Sequence, residues 1–271
     1  MKAILALLFL CVNVFAFALP EIPYYYSDPT AHRTLLLQKL NQIRRTNGLS
    51  PLVAVVDLAT VAQFHGEDMF RRSYRAHENP EGEDQADRVR RIQPRLIFLQ
   101  CRENLAFLDG TNYFPTMSEL IEQDYEGLMN SPGHRANILS TDVMQVGFGV
   151  VVVKRGDSFK SIMVQVFADI AGRWERPLPR ILRSGDQFLA TVNLPAEFFI
   201  SSKTSPSRMF TDPQAPETEW RGGLPLRTRR VERRLQVTIP PLPNGDYDLK
   251  ISRAGQNEYF LLRRLSLRAA P

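Results

Sequence analysis

The N-terminus constrains this chain most, because it predicts export and leaves the mature protein with a single cysteine. A charged start, an apolar run through Phe15 and the small residues of Ala16-Phe17-Ala18 are typical of a secretory signal peptide over residues 1–18. Cleavage after this segment removes Cys11, so Cys101 is the one thiol left and has no partner for an internal disulfide. The fold must therefore be stabilised by its hydrophobic core.

Composition and charge indicate two domains after the signal peptide. The chain is 44% hydrophobic, and its 271 residues suffice for two ordinary domains. The proline-rich stretch after Gly172 predicts a linker over residues 172–180, between a first domain at 30–171 and a second at 181–271. Residues 172–271 hold seventeen Arg and Lys against ten Asp and Glu, whereas the whole chain has a net charge of +5. The second half therefore carries the basic character.

The first half has the pattern of an α+β domain. Helical spacing of leucines predicts a first helix that ends at Asn47-Gly48, and a second that follows Asp57 as its N-cap. A third is predicted from Thr116 to Met129. The β-branched runs at 146–153 and 161–167 then predict a pair of antiparallel strands.

Three motifs in this half carry residues suited to chemistry. They are His77-Glu78-Asn79-Pro80-Glu81-Gly82, Arg102-Glu103-Asn104-Leu105-Ala106 and Ser131-Pro132-Gly133-His134-Arg135-Ala136-Asn137-Ile138-Leu139. Two imidazoles and a carboxylate could converge, either to hold a divalent metal with an open water position or to move protons without metal. Taken singly, each motif is equally consistent with exposed or structural side chains.

The order and spacing of these motifs resemble the CAP superfamily of cysteine-rich secretory and pathogenesis-related class 1 proteins, in particular its bacterial branch. The resemblance extends over nearly all of residues 30–170. The matching segments are Leu49-Ser50-Pro51-Leu52, His77-x-x-Pro80-x-Gly82, Asp87-Arg88, Glu103-Asn104-Leu105-Ala106, Asn130-Ser131-Pro132-Gly133-His134-Arg135-x-Asn137-Ile138-Leu139, Val146-Gly147-x-Gly149-Val150 and Gln165-x-Phe167.

The resemblance implies an α-β-α sandwich with a central cleft lined by two histidines and two acidic residues. In some members that cleft binds zinc or magnesium. By position the histidines are His77 and His134, the first acidic residue is Glu103, and Ser131 belongs to the same cluster. His77 and His134 are accordingly the candidate ligands for Zn or Mg.

The sequence departs from the family pattern at the second acidic position: where the eukaryotic members have a helix tryptophan and, three residues later, a glutamate, this chain has Leu128 and Ser131. Glu122 or Glu126, one or two helical turns earlier, could reach the cleft instead. A second departure is Arg102, where the family usually has glycine. A guanidinium there is expected to pair with the neighbouring Glu103, lower its pKa and favour a structural carboxylate.

Two further residues have plain structural interpretations. His65 lies on the apolar face of the second helix, so we expect a buried, hydrogen-bonded imidazole rather than a cleft residue. Cys101 precedes Glu103 by two positions, but an inert buried thiol is expected in preference to a nucleophile. The sequence thus names no catalytic residue.

The second half predicts a small all-β sandwich of immunoglobulin-like type. Alternating apolar and polar residues predict strands at 187–194, 235–239 and 247–251, with a tight turn at Asn244-Gly245-Asp246. No family is recognised there. Between the strands lies an arginine cluster suited to anionic polymers or lipid headgroups, with a solvated loop as the alternative. Its members are Arg227, Arg229, Arg230, Arg233 and Arg234.

Three functions remain open at this level. The favoured one is a non-catalytic module that binds a lipid, envelope or surface ligand in the cleft. The others are a metal-dependent hydrolase using His77, Glu103 and His134, and an adhesive role for the basic second half. The signal peptide predicts a bacterial protein exported to the periplasm or secreted, which argues against a nucleic-acid partner. The lack of any later long apolar run predicts no transmembrane anchor.

Overall fold

In a computed structural model, the described residues are 29–202, 223–256 and 258–268. The predicted signal peptide, residues 1–18, lies outside them. The described helices are α1 Pro29–Thr46, α2 Val56–Arg72, α3 Gln85–Ile92, α4 Met117–Asn130 and α5 Pro132–Ile138. The described strands are β1 Val53–Ala54, β2 Leu96–Thr111, β3 Gln145–Arg155, β4 Ser158–Trp174, β5 Ile181–Leu182, β6 Gln187–Val192, β7 Ala196–Ser202, β8 Leu224–Pro225, β9 Arg227–Val231, β10 Arg234–Thr238, β11 Gly245–Arg253 and β12 Phe260–Leu267.

Local signals explain where the helices of the first half begin and end. α1 ends just before Asn47-Gly48, where Gly48 has a positive φ of 73°. α4 begins with a capping box in which Thr116 and Glu119 exchange hydrogen bonds. α2 differs from the prediction, because its N-cap is Val55 and no side chain caps it. Asp57 lies one residue inside the helix, where its negative charge still suits the positive end of the helix dipole.

The first half is a three-layer α-β-α sandwich, as the resemblance implied. Its central layer has the strand order β1-β3-β4-β2, in which β2 and β3 both pair antiparallel with β4. One face packs on α2 and α3 through Leu58 and Val89, and the other on α1, α4 and α5 through residues such as Leu40, Tyr125 and Ile138. The helices thereby bury both faces of the sheet.

Two glycines of β3 set the distance between the sheet and α2. A Cβ at Gly147 would lie 2.1 Å from the backbone nitrogen of Ala59, and one at Gly149 would lie 2.3 Å from the carbonyl carbon of Ala62. Contacts this short are impossible, so only glycine lets the helix backbone approach the strand this closely. The Val146-Gly147-x-Gly149 motif is therefore a packing motif.

The second half continues the first half's sheet, which corrects the predicted linker. β4 pairs with β3 as far as Ala168 and then, from Gly172 to Trp174, with β6. β6 in turn pairs with β10, and β10 with β9. Residues 172–174 are thus strand, because the prolines that suggested a linker begin only at Pro177.

A second sheet, of order β5-β12-β11-β7-β8, packs on this extension. Their common core includes Ile97, Leu99 and Trp174 from the first half beside Phe198 and Ile251 from the second. The second half is all β in its described residues, but the immunoglobulin-like type is not confirmed. The tight turn predicted at Asn244-Gly245-Asp246 is wrong as a hairpin, since β10 and β11 belong to different sheets and β11 already begins at Gly245.

Candidate functional site

The loop before α3 holds His77 in place by an asparagine-centred turn. The side-chain oxygen of Asn79 accepts from the backbone N–H of Glu81 at 3.1 Å and of Glu83 at 2.8 Å. Gly82 completes the turn with a φ of 77°, a conformation in which glycine is favoured. The predicted proline and glycine turn is therefore a rigid support for the imidazole beside it.

Glu103 of β2 is the buried centre of the site. Its side chain is only 1% exposed, yet each carboxylate oxygen has a charged or polar partner. Oε1 accepts from Nδ1 of His77 at 2.9 Å, and Oε2 accepts from Nη2 of Arg88 at 2.6 Å. The first bond fixes the His77 tautomer, so that Nε2 is the ring nitrogen free to meet a ligand.

Arg88 of α3 is a site residue to which the sequence interpretation gave no role. Its side chain is fully buried, and its Nη1 donates to the backbone carbonyls of His77 and Glu83 at 2.7 and 2.8 Å. It therefore ties the His77 loop to Glu103. The segment Gln85–Ile92 contains three arginines, and although the resemblance includes Asp87-Arg88, local sequence does not show which arginine is buried.

His65 of α2 lies behind Glu103 and is fully buried, which confirms the expected structural imidazole. Its Nε2 donates to the carbonyl of Ala76 at 3.1 Å, next to the His77 loop, and lies 3.8 Å from Oε1 of Glu103. Tyr74 donates to Asp68 at 2.7 Å and contacts Nδ1 of His65. Burial, more than any neighbouring charge, lowers the pKa of His65.

His134 approaches His77 from the other side of β2. The two ring centroids are 6.5 Å apart. Its short helix α5 is held by Asn104, whose Nδ2 donates to the carbonyl of His134 at 3.1 Å, and by Asn137, which donates to the Asn104 side chain at 2.9 Å. Partial burial, and next the nearby His77, lower the pKa of His134. His134 therefore favours the neutral form near pH 7.

The site opens to solvent as a shallow depression of about 250 Å³. Its lining is mostly polar: His77, Gln85, Cys101, Arg102, Glu103 and Asn137. The His77 side chain is 51% exposed. Cys101 is half-buried, and burial raises the pKa of its thiol far above its ordinary value, so it is held as an unreactive thiol. Ser131 caps α5 through its backbone, and no contact recorded among the described residues joins its side chain to Glu103.

The position of Arg102 corrects the prediction that it pairs with Glu103. Neighbouring residues of a strand point to opposite faces, so the two side chains diverge. Arg102 instead pairs with Asp142 at 3.2 Å, and the arginine that pairs with Glu103 is Arg88. Neither candidate for the second acidic position joins the cluster, because Glu126 is exposed and Glu122 pairs with Lys39.

A zinc or magnesium site receives no support from this geometry. Over the described residues, no group of three or more His, Cys, Asp or Glu is arranged to hold a metal. His77 and His134 could supply two nitrogens, but both oxygens of Glu103 already accept hydrogen bonds. A zinc site with three protein ligands therefore does not fit these residues.

The arginine cluster of the second half lies on the β9–β10 hairpin, with Arg233 in its turn. Arg227, Arg229 and Arg230 belong to β9, the edge strand of the extended sheet, and all three are exposed. Arg234 of β10 pairs with Glu175 at 3.2 Å. Charged side chains on an edge strand prevent its pairing with other chains. Docking of this edge on an anionic surface stays a prediction.

Comparison with known proteins agrees with this architecture. Residues 37–167 match the model of the CAP, or cysteine-rich secretory protein, family. This part of the chain is therefore a CAP domain. A curated relative, the uncharacterized membrane protein YlbC of Bacillus subtilis, is 31% identical over 121 residues. That match covers 45% of the present chain and 32% of the Bacillus protein, so it spans about a third of the relative's length.

Two solved structures of similar shape also come from bacteria. An outer surface protein from Borrelia burgdorferi is 17% identical, with a TM-score of 0.45 over 55% of this chain and 99% of that one. An extracellular protein with an SCP domain from Bacillus anthracis is 24% identical, with a TM-score of 0.39 over 51% of this chain and 40% of that one. In the described part of the present chain, no helix is both long and apolar enough to cross a membrane.

Proposed function

We propose that the protein is an exported CAP-domain protein that binds a lipid, envelope or surface ligand non-catalytically in the depression lined by His77, with His134 nearby. One observation carries this proposal: both oxygens of Glu103 are engaged inside the protein, by His77 and Arg88. Held in this way and only 1% exposed, the carboxylate fixes the His77 loop to α3 instead of facing solvent. It can, however, orient an exposed imidazole toward a ligand.

The lining of the depression supports a polar ligand group. His77 presents Nε2 to solvent, and Asn137 and Gln85 add amide groups at the rim. At about 250 Å³, the depression is large enough for a headgroup or one polymer unit, but not for a long acyl chain. The remainder of such a ligand would lie outside it.

The metal-dependent hydrolase and the adhesive role are weaker alternatives. A metal-dependent hydrolase using His77, Glu103 and His134 needs three metal ligands, and no such group is arranged to hold a metal among the described residues. The arginines of β9 are sufficiently explained as protection of a sheet edge. Neither alternative therefore has an observation of its own.

Cosedimentation tests the proposal. The mature protein is mixed with purified cell-wall sacculi and, separately, with vesicles of bacterial total lipid. We expect it to sediment with one of the two, and His77→Ala/His134→Ala to reduce that binding at least tenfold. Arg45→Gln/Arg71→Gln, which changes two exposed arginines of α1 and α2, is the control and should bind as wild type. Equal binding by wild type and the histidine variant, or no binding to either preparation, contradicts the proposal.

A further inference from the structure

A second and larger cavity lies away from the histidine depression, where α3 meets β5 and β12. Its volume is about 690 Å³, within the range of about 300–1,000 Å³ that is usual for small-molecule sites. One wall comes from the CAP domain, through α3 and Pro94, and the other from the second half, through Pro177 and Leu265. The cavity therefore exists only when both halves are in place.

Arginines and carboxylates line this cavity, and their pairing leaves positive charge uncompensated. Arg90 pairs with Asp87 at 2.9 Å, and Arg91 pairs with Glu83 at 2.8 Å. The remaining lining arginines, Arg180, Arg263 and Arg264, form no ion pair recorded among the described residues. The one other lining carboxylate is Asp246, which accepts from Ser266 at 2.6 Å. An excess of two positive charges results.

Arg180 and Arg263 both line the cavity and lie near enough for their charges to interact. The carbonyl of Arg180 accepts from the N–H of Ser266 at 2.9 Å, which fixes Arg180 against β12. Arg263 belongs to the same strand and is half-buried. Burial, and next the nearby Arg180 cation, lower the pKa of Arg263. Two neighbouring cations, one partly removed from water, are costly without an anion between them.

We propose that this cavity binds a ligand bearing a phosphate group, held by Arg180, Arg263 and Arg264. Guanidinium groups bind phosphate through paired hydrogen bonds, and a dianion offsets the two excess charges. The cavity is larger than one phosphate, and Leu261 and Leu265 offer apolar surface to a short attached group. This site is separate from the histidine depression and does not depend on the function proposed for it.

The same phosphate chemistry has two sources, which the experiment distinguishes. A soluble phosphate ester would enter the cavity whole, whereas a phospholipid would insert its headgroup and leave its chains in a membrane. Glycerol 1-phosphate represents the first source. Vesicles of phosphatidylglycerol, with phosphatidylcholine vesicles as reference, represent the second.

The test uses the mature full-length chain with titration calorimetry for glycerol 1-phosphate and flotation for the vesicles. Arg180→Gln/Arg263→Gln is expected to weaken binding at least tenfold. Arg45→Gln/Arg71→Gln makes the same change of charge at two exposed positions of α1 and α2 and should leave binding unchanged. If loss of the half-buried Arg263 impairs folding, Arg180→Gln/Arg264→Gln replaces the first variant in the test, because it changes two exposed side chains.

Each outcome decides the proposal. If glycerol 1-phosphate binds and its affinity falls only in the cavity variants, the proposal is supported and the ligand is a soluble phosphate ester. Binding to phosphatidylglycerol vesicles alone, with the same dependence on the variants, supports it with a lipid headgroup. No binding to either probe, or equal losses in the cavity variants and in Arg45→Gln/Arg71→Gln, overturns it.

Discussion

Arg88 donates a 2.6 Å hydrogen bond from Nη2 to Oε2 of Glu103, and the two side chains are 0% and 1% exposed. The pair joins α3 to β2 beneath the His77 loop, whose backbone carbonyl Arg88 also binds. The cluster that the motifs predicted is therefore built on an internal ion pair. That pair leaves His77 and His134 as the groups facing a ligand.

Arg88→Met should be strongly destabilising, because it leaves the charge of Glu103 buried without its partner. Breaking a buried pair in this way costs about 3–5 kcal/mol. Urea unfolding followed by circular dichroism measures the loss.

A double variant and a control make this prediction specific. Arg88→Met/Glu103→Gln removes the stranded charge and should recover part of the loss. Arg102→Ala breaks only an exposed pair with Asp142 and should change stability by less than about 1 kcal/mol. Equal losses for Arg88→Met and Arg102→Ala would show that the buried pair does not hold the site.

Gly149→Ala should be among the most damaging single changes in the first half, because the new methyl group would overlap the backbone of α2 at Ala62. We expect a loss of at least about 3 kcal/mol, the upper range for overpacking in a core. Gly127→Ala is the matched control. It lies in helix α4 with no atom within 4 Å of the added Cβ, so it should stabilise by about 0.5–1 kcal/mol. Similar effects of both changes in thermal unfolding would contradict the close packing of α2 on β3.

Asp124 should make stability fall as pH rises between about 4 and 7. It is a buried residue of α4, its Oδ1 has no hydrogen-bond partner among the described residues, and burial raises its pKa from 3.8 to about 7. Because the folded state binds this proton more tightly than the unfolded state, the stabilisation is complete below the unfolded pKa and lost above the folded one. Within this window the free energy of unfolding falls with a slope that approaches about 1.4 kcal/mol per pH unit.

Asp124→Asn tests this assignment because it keeps the shape and removes the titration. Denaturant unfolding across the pH range should show a flatter profile between pH 4 and 7 and greater stability above pH 7. Glu126→Gln, on the exposed side of the same helix, should leave the profile of wild type unchanged. If the stability of Asp124→Asn depends on pH as that of wild type does, the prediction is wrong.

The two halves should unfold together, because Trp174 at the end of β4 packs in the core of the second half, 5.5 Å from Phe198 by ring centroids. Calorimetry of the mature chain should show one unfolding transition. Trp174→Ala should move this single transition to lower temperature and reduce the free energy of unfolding by about 3–5 kcal/mol. The exposed Met144→Ala should have little effect. Two separate transitions, only one of them moved by Trp174→Ala, would show that the halves are independent domains.

The sequence was informative wherever a local pattern decides the structure. The helical spacing before Asn47-Gly48 and the start signal at Thr116 lie at the ends of α1 and α4 within a residue or two. The motif order also led to the α-β-α sandwich and to the meeting of His77, Glu103 and His134. The helix ends depend on turns and caps that can be read in a few consecutive residues, whereas the sandwich and the cluster were implied by the family resemblance over residues 30–170.

What the sequence could not give depends on contacts between distant residues. Arg88 looks like its neighbours Arg90 and Arg91, and only packing shows that it is the buried partner of Glu103. The continuation of β4 through Trp174 into the second half was hidden by the prolines that follow it. The pairing of β6 with β4 likewise joins residues that are distant in sequence, so no local pattern predicts it.

Zinc titration of the mature protein tests most directly the claim that Glu103 serves the fold and leaves a binding site rather than a metal-dependent one. Calorimetry and elemental analysis would compare wild type with His77→Ala/His134→Ala, after circular dichroism shows that both are folded. The account predicts no stoichiometric zinc and the same weak heats for both proteins. One zinc per chain in wild type and none in the folded variant would contradict it.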